Sequence, residues 1–214
     1  MIVIVGGNKG GSSKTTTCCN LAVALAQQFG DICVLDADQQ GSAAKWNTER
    51  EDSGLSPMIT MVQKYGNLSQ TLQSLEAKYT WVLVDVAGRN SREMITAATV
   101  ANVMIAPHQC SQLDLDTLEE LQEQIVRIRD LNINLKVLIY QTMASTNPQV
   151  MNTERQEFEN YVSEFKDFSM LRAVGRYRKI YRDVMSEGKS VLESSNDQAR
   201  QEIIDLYNEV FANG

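Results

Sequence analysis

Residues 3–17 read Val-Ile-Val-Gly-Gly-Asn-Lys-Gly-Gly-Ser-Ser-Lys-Thr-Thr-Thr, and the rest of the chain is organised around them. The apolar run Ile2 to Val5 ends in glycines, and Lys14-Thr15 opens a helical pattern that continues to about Phe29. A strand, a Gly-rich loop and a helix in this order form a phosphate-binding P-loop. Backbone N–H groups of the loop and the free N–H groups of the first helical turn surround the anion. In the general motif, G-x-x-x-x-G-K-[ST], the lysine (Lys14) neutralises the β- and γ-phosphates and the following hydroxyl (Thr15) ligates Mg²⁺. Two positions depart from that form: Asn8 stands at the first glycine and Ser13 at the second, while an extra lysine, Lys9, begins the loop.

A chain of 214 residues suits one sizeable α/β domain and is short for two, and 43% hydrophobic residues support a real core. No apolar run approaches the roughly 20 residues that span a bilayer, and Met1 to Val5 is too short for a signal-peptide core. A cytoplasmic protein is expected. Cys18, Cys19, Cys33 and Cys110 have no C-x-x-C spacing and His108 is the only histidine, so reduced thiols are a better reading than a metal site. The net charge of −7 argues against general affinity for nucleic acid, yet it is unevenly spread. Between 172 and 189, Arg172, Arg176, Arg178, Lys179, Arg182 and Lys189 face only Asp183 and Glu187, which makes that segment +4 and the remainder −11.

Strand-like and helix-like segments alternate throughout, the pattern of a mainly parallel sheet with helices on both faces. Strands are predicted at Ile32–Leu35, Met58–Val62, Thr80–Val84, Val103–Ala106 (stopped by Pro107), Leu135–Tyr140 and Met170–Val174. Helices are predicted at 42–50, Leu68–Lys78, 91–100, Gln149–Phe165, 178–187 and 196–211. Another is marked by Leu118, Leu121, Ile125 and Ile128 at 3,4,3 spacing, its other face carrying Asp116, Glu119, Glu120 and Glu123. No repeat or linker interrupts the series, so one domain over 1–214 is expected.

In open parallel sheets, ligands bind beyond the carboxyl ends of the strands. Residues 6–16, 36–41, 85–88 and 107–111 are therefore expected to converge. Asp85 closes an apolar strand as a Walker B aspartate does and would hold Mg²⁺ directly or through water. Asp38 would position the attacking water and serve the metal, since phosphoryl transfer is mostly positioning and charge stabilisation. The plain alternative is an α/β domain whose carboxylates only cap helices.

Lys9-Gly10-Gly11-Ser12-Ser13-Lys14-Thr15-Thr16 resembles the deviant Walker A box, K-G-G-x-G-K-[ST]-T, of the ParA/MinD ATPases. Asp36-Ala37-Asp38-Gln39-Gln40-Gly41-Ser42 resembles their D-x-D-P-Q-x-S switch I, and Asp85-Val86-Ala87-Gly88 their switch II. Arg178-Lys179-Ile180-Tyr181 and Gly188-Lys189-Ser190-Val191 with Glu193 are similar to the R-x-x-Y and G-x-S-V-x-E features of small plasmid-partition ParA proteins. The resemblance spans essentially the whole chain. It implies ATP and Mg²⁺ as ligands, bound by residues 9–16, with Pro107 beside the nucleotide at the head of Pro107–Ser111. It implies that Lys9 reaches across an ATP-sandwich homodimer to the partner's phosphates, so that Lys9, Lys14 and Asp38 form the catalytic set. For Lys9 the alternative is a phosphate contact within one chain or a solvated loop charge. The resemblance further implies non-specific binding of nucleoid DNA through the basic segment and a ParB-like centromere-binding adaptor that stimulates slow hydrolysis. No helix-turn-helix precedes the loop, which leaves specific DNA recognition to that adaptor.

Three features set alternatives. Ser13 puts a Cβ where the family has glycine, which leaves open a nucleotide-gated scaffold without turnover. Gln39 replaces the switch I proline, and the loop is expected to be less rigid for it. A MinD-like membrane ATPase would want a basic amphipathic C-terminal helix, whereas Arg200 is outnumbered by Glu202, Asp205 and Glu209. The stripe of Ala199, Ile203, Tyr207, Val210 and Phe211 is expected to pack on the core. Tyr140–Thr146 is expected near the base; His108 could line the pocket, but a lone histidine in a loop is more often exposed, and it is assigned no catalytic role.

Overall fold

The computed structural model describes residues 1–88 and 91–212, with the side chains of all but 112–115 among them. The chain runs β1 (Ile2–Val5), α1 (Lys14–Phe29), β2 (Ile32–Asp36), α2 (Ser42–Asp52), β3 (Thr60–Gln63), α3 (Ser69–Glu76), β4 (Trp81–Asp85) and α4 (Arg92–Ala98). It continues through β5 (Val103–His108), α5 (Gln112–Arg129), β6 (Lys136–Ala144), α6 (Pro148–Val162), β7 (Phe168–Arg176) and α7 (Lys179–Met185). A short 3-10 helix (Val191–Glu193) and α8 (Asp197–Phe211) complete it. The strands form one sheet in the order β3-β2-β4-β1-β5-β6-β7, and every pairing is parallel.

Both faces of the sheet are covered, which is why the central strands are continuous apolar runs without alternation. On one face α1, α2 and α8 pack Cys18, Leu21, Leu25, Trp46, Leu206 and Phe211 against Val3, Val5 and Val34. On the other, Leu72 of α3, Met94 of α4, Leu118, Leu121 and Ile125 of α5 and Phe158 of α6 cover Ile2, Ile4 and Val84. The stripe on α8 is used as expected, with Ala199, Ile203 and Phe211 buried. Among the described residues no helix is long and apolar enough to cross a membrane.

One predicted strand end moves. β5 does not stop at Pro107 but continues through it to His108, in register with Tyr140 and Gln141 of β6. The carbonyl of Ile105 faces β1, where it accepts from Gly6 N at 3.0 Å. Pro107, two residues on, lacks its N–H on that same side, and β1 has already ended at Val5. No ladder bond is lost, so proline is tolerated inside the strand. β7 is also longer than expected, and as an edge strand it is protected by α8. Glu209 accepts from the N–H groups of Arg172 and Ala173, both at 2.9 Å, and Glu202 from that of Arg176 at 3.1 Å.

The segment before α8 is latched to α1 and α2. Arg50 of α2, fully buried, makes a bidentate pair with Glu193 at 2.8 and 2.9 Å and donates also to the carbonyls of Pro57 and Gly188. Gly188, at φ +67°, lies so close that a Cβ there would stand 2.3 Å from Arg50 N. Ser190 Oγ donates to Asn20 Oδ1 of α1 at 2.7 Å and Trp46 Nε1 to the Lys189 carbonyl at 3.1 Å. The G-x-S-V-x-E feature is thus a structural clasp between the C-terminal segment, α1 and α2.

Candidate nucleotide site

The loop between β1 and α1 is held by its neighbours. Thr142 of β6 donates its hydroxyl to the carbonyls of Ser12 and His108 at 3.2 and 3.3 Å, and Gln109 Nε2 reaches the Gly11 carbonyl at 3.2 Å. Lys14 Nζ donates to the Lys9 carbonyl. A Cβ on Gly88 would come within 3.3 Å of both Lys14 Nζ and the Lys9 backbone, so the segment after β4 presses directly on the loop. Gly11 and Ser13 both take left-handed backbone, at φ +75° and +68°. At Ser13, immediately before α1, this conformation carries a side chain that the motif's glycine lacks. Asn8 is fully buried, and neither polar atom of its amide has a partner. Such a buried group costs about 1–3 kcal/mol until something at the loop satisfies it.

Two carboxylates act on Lys14, Asp85 at the end of β4 and Asp38 just past β2, and Asp36 at the end of β2 lies near Asp85. Asp85, 1% exposed, accepts from the Thr15 hydroxyl at 2.7 Å. Burial pushes its carboxyl up to about 7, helped by the nearby Asp36 and Asp38 and opposed by the Thr15 bond and Lys14. Burial lowers the Lys14 ammonium, and Asp85 and Asp38 pull it back. Asp36, also buried, accepts from the N–H groups of Ala44 at 2.8 Å and Asp38 at 3.1 Å, tying switch I to the start of α2. Asp38 faces a cavity of about 580 Å³ together with residues 10–16, Gln40, Ser42, Ala87 and Gly88. A hydroxyl and a carboxylate in contact beside this anion cradle are a hard-oxygen set of the kind Mg²⁺ takes when it also binds a substrate's phosphates. The residues fit the ion, and Thr15 and Asp85 would hold it.

A second cavity of about 630 Å³ adjoins the first, sharing Ser13, Thr15, Thr16 and Ser42. Its walls are Trp46 of α2, Tyr140 and Met143 of β6, Tyr177, and Tyr181 and Met185 of α7. Mostly apolar, with an open side toward the phosphate loop, it has the size and chemistry of a nucleoside pocket. Tyr140, Thr142 and Met143, from the 140–146 stretch, line it. Gly175 is required beneath them, because a Cβ there would lie 2.6 Å from the Tyr140 hydroxyl.

The sequence-predicted residues divide. Residues 10–16 and Asp38 share one cavity, Asp85 touches it through Thr15, and Lys9 is half-buried at the loop's start. Pro107 does not join them: it is buried in β5 and lines neither cavity. His108 is buried rather than exposed, its Nδ1 3.2 Å from the Ala106 carbonyl, because the strand extends to include it. The basic segment is not one surface. Arg178 is bound to Glu202 at 2.8 Å with its side chain 17% exposed, and Arg176 donates to the Ser145 carbonyl at 2.8 Å. Tyr181 donates to the same Glu202 at 2.9 Å, so R-x-x-Y is a clamp on one glutamate. Arg172, Lys179 and Arg182 stand out with side chains 89, 76 and 78% exposed, and Lys189 pairs with Glu187 at 2.7 Å. Trp46 and Lys45 escaped the sequence reading because α2 carries no motif; their one signal was adjacency to switch I.

A family model described as the CobQ/CobB/MinD/ParA nucleotide binding domain matches residues 2–164. No curated protein matches the chain significantly. Among solved structures, a plasmid partition protein from Borrelia burgdorferi bound to AMPPNP superposes with a TM-score of 0.73 at 15% identity, over 100% of this chain and 99% of that one. An ATP complex of a McdA variant from Cyanothece gives 0.76 at 12% identity, over 97% and 95%. The MinD cell division protein of Aquifex aeolicus gives 0.73 at 16% identity, over 100% and 98%. At these identities the likeness is one of fold.

Proposed function

The chain belongs to the CobQ/CobB/MinD/ParA nucleotide-binding family, and from that premise we propose that it is an ATPase of DNA partition. Mg-ATP pairs two copies face to face, the pair binds nucleoid DNA without sequence preference, and hydrolysis stimulated by a ParB-like adaptor releases it, so that plasmid or similar cargo is moved or positioned in the cytoplasm. The observation that carries this reading is a phosphate loop with a second lysine, Lys9, five residues ahead of Lys14, whose phosphate cavity also holds Asp38 and opens onto a nucleoside-sized pocket.

The residues divide the work. Loop N–H groups and Lys14 hold the β- and γ-phosphates, and the 630 Å³ cavity receives the nucleoside. Thr15 and Asp85 would hold Mg²⁺, which would supply charge neutralisation at the phosphates. Asp38 orients the attacking water, and Lys9 of the second copy adds positive charge in trans, as an arginine finger does elsewhere. The exposed Arg172, Lys179 and Arg182 are the DNA-facing cations of the basic segment, whereas Arg176 and Arg178 hold the fold. Burial of the apolar face of α8 supports DNA over a membrane surface as the platform. The left-handed Ser13 favours one second reading, a nucleotide-gated scaffold without turnover.

The test is a DNA mobility shift with and without Mg-ATP, paired with phosphate release. DNA binding that requires ATP, and turnover lost in Asp38→Ala, support the partition ATPase. DNA binding without turnover, even with the cognate adaptor, supports the scaffold, and ATP-independent behaviour in both assays overturns the proposal.

A further inference from the structure

The nucleoside cavity has a cationic rim that its nucleotide does not need. Among the described residues five cations line it, Lys45, Arg176, Arg178, Lys179 and Arg182, against the acid Glu49 in the lining and Asp183 beside Lys179 and Arg182. Two of them are turned inward, Arg178 to Glu202 and Arg176 to the Ser145 carbonyl. The other three face solvent, Lys45 from α2 and Lys179 and Arg182 from α7. Their contacts are slight: Lys45 Nζ with the Gln40 carbonyl at 3.0 Å, Lys179 with Asp183 at 3.3 Å, and Arg182 with Asp183 at 4.0 Å. Tyr177, 64% exposed, lies on the same rim with a hydroxyl suited to phosphate.

A nucleoside is uncharged, and a nucleotide's phosphates are served by the loop N–H groups and Lys14. The outward cations are therefore left for a second, external polyanion. We propose that a DNA backbone crosses the mouth of the nucleoside cavity, with phosphates on Lys45, Lys179 and Arg182. This rests on the DNA-binding reading above and adds to it a location and a residue, Lys45, outside the basic segment. It also gives a regulation. Trp46, Tyr181 and Met185 of the cavity wall and the cations Lys45, Lys179 and Arg182 belong to the same two helices, so both ligands would bear on α2 and α7. Such coupling is reciprocal: bound DNA strengthens nucleotide binding by the factor that nucleotide strengthens DNA binding.

The experiment measures anisotropy of a fluorescent duplex of about 30 base pairs over a range of salt, with Mg-AMPPNP present. Removing a phosphate contact lowers the slope of log affinity against log salt by about one. Lys45→Gln and Arg182→Gln should each lower it by about one, and Lys45→Ala/Lys179→Ala/Arg182→Ala by about three. Lys136→Ala, at the opposite end of the sheet where β6 begins, should leave it unchanged. Melting curves confirm that each variant is folded. With a fluorescent AMPPNP analogue, saturating DNA should tighten nucleotide binding about fivefold or more in the unsubstituted protein, and the triple variant should lose that gain. A triple variant with an unaltered salt slope overturns the location while leaving ATP-gated DNA binding intact, whereas nucleotide affinity indifferent to DNA overturns the gating itself by the same reciprocity. A protein that binds no DNA in any nucleotide state overturns both.

Discussion

Replacing Ser13 with glycine should stabilise the protein and quicken its chemistry. Ser13 holds φ +68° and ψ +23°, where a Cβ crowds the following carbonyl at roughly 1–2 kcal/mol. Glycine removes that strain but gives the unfolded chain more freedom, returning about 0.4–1 kcal/mol to the unfolded state. The net gain is about 1 kcal/mol, which for a chain of 214 residues raises Tm by about 2–4 °C. Differential scanning calorimetry of the nucleotide-free protein reads this directly. Phosphate release is expected to rise alongside, because the family glycine sits where the loop backbone approaches phosphate. A Tm unchanged or lowered by Ser13→Gly would refute the strain argument. A raised Tm with unaltered turnover would show that Ser13 burdens folding alone.

Two further expectations concern buried charge. Burial holds Asp85 at about 7, well above the ordinary aspartate value of 3.8, so the folded state binds more protons than the unfolded state between those values. Stability of the metal-free protein should therefore fall as pH rises through that window, by on the order of 4 kcal/mol. Asp85→Asn should remove this component from urea-unfolding curves, while Mg²⁺ affinity of the unsubstituted protein should weaken below about pH 7, because the ligand must be ionised. Identical pH profiles for Asp85→Asn and the unsubstituted protein would contradict the assignment. Glu193→Ala leaves the fully buried Arg50 without its carboxylate and should cost about 3–5 kcal/mol in urea unfolding. A cost under about 1 kcal/mol would mean that the clasp is not structural.

How far the sequence could be read follows from how local each feature is. The loop, Thr15 and the strand-end aspartates were legible because strand, glycines, lysine and helix are contiguous, and because parallel strands must deliver their carboxyl ends to one edge. Pro107 and His108 were misplaced because the tolerance of proline inside β5 depends on where β1 ends, a hundred residues away in sequence. The basic segment looked uniform by charge count. Its division depends on Glu202, 24 residues beyond Arg178, which claims that arginine and Tyr181 together. Gly188 and Glu193 were visible as a motif, yet their purpose required Arg50, a residue with no motif of its own.

The central claim, that Mg-ATP bound at this loop joins two copies, is met most directly by multi-angle light scattering of the purified protein. With Mg-ATP the mass should double from that of the 23.9 kDa chain, ADP should leave it monomeric, and Lys14→Ala should remain monomeric with either nucleotide. A mass indifferent to ATP, or a dimer that Lys14→Ala forms as readily, would contradict it.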